Sequence, residues 1–156
     1  MAHLLAPQNS LPTLPVFFNV DKVVGNNPAI NLREDVLLVQ FAFTVIASQP
    51  EPSSGAEFNA AAAAVRATGH IDQATITAIM AAQNEVRKKG GGAGTIVDGR
   101  VSPATGGYAY GAGTWTIVHL NESMQGRHIN IWPRIDLIPG CPNELKAMVV
   151  RTVQGT

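Results

Sequence analysis

A mainly α (α+β) domain is what this sequence predicts: a three-helix core with small terminal β-strands and long loops. Three observations predict it. Apolar residues recur at helical spacing in three stretches, 31–47, 72–89 and 114–125. Two short stretches, after Pro15 and after Gly126, instead alternate apolar with polar residues as a strand does. Fifteen Gly and ten Pro among 156 residues then assign much of the remaining chain to turns and loops. Hydrophobic residues make up 46%, enough to fill one core, and the length is that of one domain.

In chain order, residues 1–15 are punctuated by Pro7, Pro12 and Pro15 and read as an extended N-terminal arm lying over the surface. From Val16, Phe18 and Val20 alternate with Asn19 and Asp21 as in a half-buried strand, which Gly25-Asn26-Asn27-Pro28 ends with turn chemistry. Asn31, with Glu34 three residues later, has the pattern of a helix cap. Leu32, Val36, Val39, Phe43 and Ile46 follow as a stripe widened by Leu37, Phe41 and Val45. A helix apolar on nearly every side belongs in the middle of a core. Gln40 is its polar exception and needs hydrogen-bond partners there.

Residues 48–56 are loop by composition, and Glu57 to Thr68 favours helix while offering little to bury. Asp72 caps the next helix, with Ile76, Ile79, Met80 and Gln83 expected on one face. Arg87-Lys88-Lys89 suits its C-terminus, and Gly90 to Gly94 reads as a flexible linker. Ile117, Leu120 and Met124 mark the third helix. Ile129 and Ile131 alternate with His128 and Asn130 as a strand, and Pro139-Gly140-Cys141-Pro142 reads as a turn. Residues 144–153 fit a strand by β-branched content or a helix by the spacing of Leu145, Met148, Val149 and Thr152; the strand is preferred.

Charge narrows the function. Eleven basic residues balance eleven acidic ones, and the only basic run is Arg87-Lys88-Lys89. A protein that neutralises several phosphates shows a basic excess, so no nucleic-acid partner is expected. No apolar run approaches the ~20 residues of a membrane-spanning helix, so no span is expected. Met1 to Phe18 has neither the basic start nor the unbroken apolar centre of a secretory signal. The expectation is synthesis in the cytoplasm, with delivery to the envelope or into an assembly. A single cysteine, Cys141, excludes an internal disulfide and a Cys-rich zinc site.

Two segments repeat one theme. The first is Gly69-His70-Ile71-Asp72 followed by Thr75, Ala78-Ile79 and Gln83. The second is Val97-Asp98-Gly99-Arg100-Val101 followed by Thr114, Ile117 and Leu120-Asn121. Val36 to Gln40 precedes both with Val-Leu-Leu-Val-Gln. This order resembles the small helical peptidoglycan-binding domain family over residues 31–121. The resemblance departs at the first turn, at Ala82 where the family has Phe, and at Ser102-Pro103 where it has a closing Gly. It implies one domain over 16–156, with insertions at 48–68 and 104–113 and a C-terminal extension over 126–156.

No nucleophile elbow, phosphate loop or paired-histidine zinc motif is present in the sequence. His70, His119, His128 and Cys141 match no zinc-ligand spacing, so neither a metal nor another cofactor is expected. Asp72 and Asp98 read as turn and cap residues, and Asn121-Glu122-Ser123 fits a glycosylation acceptor only by pattern. Tyr108 and Tyr110 in a Gly-rich loop, with Arg100 and Trp132, are the expected partner-binding residues; half-buried core positions compete as the reading of Trp115 and Trp132. The resemblance implies a non-enzymatic module that recognises cell-wall muropeptides. The alternative is a structural subunit, self-associating or in a phage-tail or secretion-type assembly, that binds a protein partner with the same fold.

Overall fold

The computed structural model describes residues 2–5, 14, 16–89, 96–104 and 115–154. Helix α1, Arg33–Ser48, is buried without a break from Asp35 to Phe43 and again at Val45 and Ile46. That continuous apolar run makes it the centre of the core. Helices α2 (Ala56–Ala63), α4 (Thr116–Arg127) and α5 (Asn143–Gln154) pack on it, and α2 and α4 also pack on α3 (Gln73–Lys88). Mainly helical α+β is therefore the fold class.

Among the described residues, two small antiparallel sheets accompany the helices. Strands β1 (His3–Leu5) and β2 (Phe17–Asn19) pair Leu4 with Phe18. Strands β3 (Val24–Gly25) and β4 (Arg100–Val101) pair Val24 with Val101. β2 is buried on both faces, not one: α4 packs on it and the Trp132 ring meets Phe18 edge-on. The described parts of the expected surface arm are likewise drawn inward, with Ala2 and Leu14 fully buried. Most of residues 6–15, the Gly linker and residues 105–114 lie outside the described residues.

Four local expectations are corrected. Residues 144–153 are helical, within α5, where Leu145, Met148 and Val149 are all fully buried at helical spacing. Residues 128–131 form turns instead of a strand, with Ile131 and Trp132 both donating to the His128 carbonyl and Ile129 exposed. On α3 the buried stripe is Thr75, Ala78, Ile79, Ala82, Gln83 and Val86, so Ile76 is only half-buried and Met80 is exposed. Asn31 does not cap α1; it sits at φ 54° and turns its amide onto Gly25. Asp72 does cap α3, accepting from the Thr75 amide at 2.8 Å.

Candidate binding groove

Buried side-chain amides organise the loops of this protein. Gln40, fully buried in α1, accepts from the Thr68 and Gly69 amides and donates to the His70 carbonyl and Thr75 Oγ1, at 2.9–3.1 Å. Gln83 in α3 accepts from the Asp98 and Gly99 amides and donates to the Arg100 carbonyl and Thr116 Oγ1, at 2.9–3.2 Å. Gly69 (φ 81°) and Gly99 (φ 72°) take the left-handed conformation that each turn requires. Asn121 in α4 does similar work on a strand, accepting from Phe18 N–H at 2.7 Å and donating to Phe18 C=O at 2.8 Å. Each amide thus imitates a peptide unit, satisfying backbone groups that burial would otherwise strand.

Side chains also fix segment 20–31, which is buried at Val20, Val24 and Gly25 and exposed at Asp21, Lys22, Asn26 to Pro28 and Ile30. Asp35, fully buried, accepts from the amides of Asp21 and Lys22 at 3.0 and 2.9 Å. Desolvation pushes its carboxyl above the ordinary range, and those two amide bonds act against that shift. Asn31 both donates to and accepts from the Gly25 backbone, and Asn26 N–H donates to the Gly99 carbonyl. A surface loop held by so many bonds, one acceptor being a buried carboxylate, is preorganised.

That loop walls an open groove of about 610 Å³. Val23, Pro28, Ala29, Ile30 and Pro103 give it an apolar lining, with Asp21, Lys22 and Asn27 as its polar groups. Ile30 is 64% exposed, a large apolar side chain left at the surface by a loop that cannot relax to hide it. Arg100 braces the rim from outside, donating to the Asn27 carbonyl at 3.0 Å and pairing with Asp98 at 3.4 Å.

Of the sequence-expected site residues, Arg100 therefore adjoins the groove. Trp132 is placed elsewhere: half-buried, edge-on to Phe18 with ring centroids 5.8 Å apart, its Nε1 donating to the Val16 carbonyl. Tyr108 and Tyr110 lie outside the described residues. Sequence reasoning passed over Ile30 and Pro103 as site residues, because nothing in the sequence shows that the two lie together.

The nucleophile and base candidates sit apart from the groove lining. Cys141 is buried, and desolvation pushes its thiol up to about 12. His119 is pushed down to about 4, first by desolvation and then by Lys89. Among the described residues no group of three or more His, Cys, Asp or Glu is placed to hold a metal ion, and no helix is long and apolar enough to cross a membrane. Asn121 of the glycosylation pattern is fully buried. Compared with known proteins, the chain matches no family model, no curated protein and no solved structure.

Proposed function

We propose that this chain is a non-enzymatic binding module and that its ligand seats in the groove between the 21–30 loop and Pro103. The observation that carries the reading is the groove's construction: an exposed apolar lining on a loop fixed by Asp35, Asn31 and the Gly99 carbonyl. Rigid placement lowers the ordering cost of binding. In this reading α1, α3 and α4 form a three-helix peptidoglycan-binding-like core, which α2, α5 and the N-terminal strands elaborate. Its support is that each of the three helices carries a buried side-chain amide, Gln40, Gln83 and Asn121, that grips a neighbouring backbone segment. The ligand class that goes with the resemblance is a cell-wall muropeptide. A thiol held near 12 and a histidine held near 4 support the non-enzymatic part, since neither group is primed for neutral-pH chemistry.

A second reading, a subunit of a larger assembly, is favoured by the zero net charge and by the large apolar side chain of Ile30 left exposed at the groove. One experiment separates the two. Co-sedimentation with purified peptidoglycan is run beside size-exclusion chromatography for wild type and Ile30→Asp. Sedimentation of monomeric wild type, lost in the variant, supports the module. Concentration-dependent oligomers with no sedimentation overturn it in favour of the subunit.

A further inference from the structure

Helix α2 packs on both α1 and α3 but contributes few buried side chains. It has eight residues, no side-chain cap at its N-terminus, and only Phe58 and Ala62 buried. Its lead-in loop is tied down by three polar contacts. Gly55 N–H donates to Glu85 Oε1 at 3.2 Å, Arg127 Nε donates to the Gln49 carbonyl at 2.8 Å, and Arg127 pairs with Glu51 at 3.6 Å. Under it lies the His119 ring, tilted against Phe58 with centroids 6.3 Å apart. Its Nε2 is enclosed and has no hydrogen-bond partner, although the residue as a whole is half-buried.

The charges around that ring come from three places. Lys89 and Glu85 face it from α3, Arg127 from its own helix and Glu51 from the loop. The single charged residue of α2, Glu57, is exposed, and α1 carries no charge from Val36 to Ser48. A proton on His119 would therefore place a cation beside two others, with Nε2 in an enclosed spot that offers it no acceptor. The carboxylates that could offset it, Glu85 and Glu51, are already engaged with Gly55, Lys89 and Arg127.

We propose that α2 and residues 49–55 form an acid-released flap with His119 as its latch. With the flap closed, the neutral ring packs under Phe58. Acidification favours the state in which Nε2 reaches water and the ring takes a proton, and that state uncovers the faces of α1 and α3 on which α2 packs. Few buried side chains hold α2, so it opens locally before the rest of the core.

Amide hydrogen exchange by NMR on the full chain tests this between pH 6.5 and 4, corrected for intrinsic rates. The probes are Asn59, Ala64 and Val65, whose amides are hydrogen-bonded, with buried α1 amides as the internal reference. Closed His119 protonates near 4 and the exposed ring near 6.5. The opening constant of α2 should therefore rise roughly eightyfold between pH 6.5 and 4, most steeply near pH 5, while α1 stays protected. His119→Phe keeps a ring under Phe58 and should flatten the α2 profile; His119→Gln does the same job if the Phe variant does not fold. A flat wild-type profile overturns the proposal. So does an unchanged slope in the variants, which would assign the effect to Glu85 or Glu51. An equal rise in α1 would make the effect global unfolding, and that outcome also counts against the flap.

Discussion

Gln40 and Gln83 perform the same task on two different turns. Each accepts from two successive amides around a left-handed glycine and donates to the carbonyl that follows it. Both are buried, so replacing either with alanine removes the partner of two backbone N–H groups, one of them the amide of a buried glycine. Gln83→Ala and Gln40→Ala should each lower unfolding stability by about 2–4 kcal/mol, from the cost of unsatisfied buried groups. Urea denaturation checks this. A loss below about 0.5 kcal/mol for both would mean that water replaces the amides readily, and the turns would not depend on them.

Part of this design was readable beforehand. Gln40 stood out as the polar residue in an otherwise apolar helix, and its predicted need for partners is met by Thr68, Gly69, His70 and Thr75. Asp72 capped its helix as its position foretold. Asn31 did not, because periodicity cannot show that a side chain has a better partner in Gly25, six residues back. The C-terminal helix was missed because β-branched content is a local preference, overridden when Leu145, Met148 and Val149 find a core face to fill. The groove was illegible for a related reason. Its lining joins residues 21–30 with Pro103, and only the pairing of β3 with β4 brings them together.

Val39 lies fully buried at the middle of α1. Val39→Asp places a carboxylate where neither water nor a basic side chain is at hand. It should cost several kcal/mol, on the order of 3–5, and most of the melting transition with it. An unchanged melting temperature would mean that this face of α1 is not in the core.

Asp35 makes a pH prediction of opposite sign to a salt-bridged carboxylate. Desolvation raises its folded-state pKa above the ordinary 3.8, despite its bonds to the Asp21 and Lys22 amides. In the window between 3.8 and the raised value, the folded chain binds more protons than the unfolded one. Its contribution is therefore fully present below the unfolded value and is lost as pH rises through the folded one. Asp35→Asn, whose NH₂ can leave one loop amide unpaired, should cost about 1–3 kcal/mol at neutral pH. The gap between wild type and variant should widen as pH falls toward 4, because only wild type gains. Urea unfolding at both pH values measures it, and the His119 contribution, common to both proteins, cancels. A gap that narrows on acidification would place the folded-state carboxyl below the ordinary range instead.

The position of the contact surface is the remaining choice, between the groove and the Tyr108–Tyr110 segment. The groove offers an exposed isoleucine on a loop that is already fixed, so little ordering is lost on contact. The tyrosines offer large amphipathic area, and losing a hot-spot aromatic costs about 2 kcal/mol or more of binding. Ile30→Asp and the double variant Tyr108→Ser with Tyr110→Ser should therefore be compared side by side in peptidoglycan co-sedimentation, with thermal melting as the control for folding. If the groove is the surface, Ile30→Asp melts within about 2 °C of wild type, as a surface change of under 0.5 kcal/mol does in a domain of this size. Its sedimentation falls at least tenfold, while the tyrosine variant sediments as before. Loss in the tyrosine variant alone, with folding intact, moves the surface to that segment and leaves the groove without a ligand. Loss in both makes the two parts of one continuous face, and a third variant, Arg100→Ala, then reports on its extent, because Arg100 follows Gly99 in the turn and reaches across to the Asn27 carbonyl.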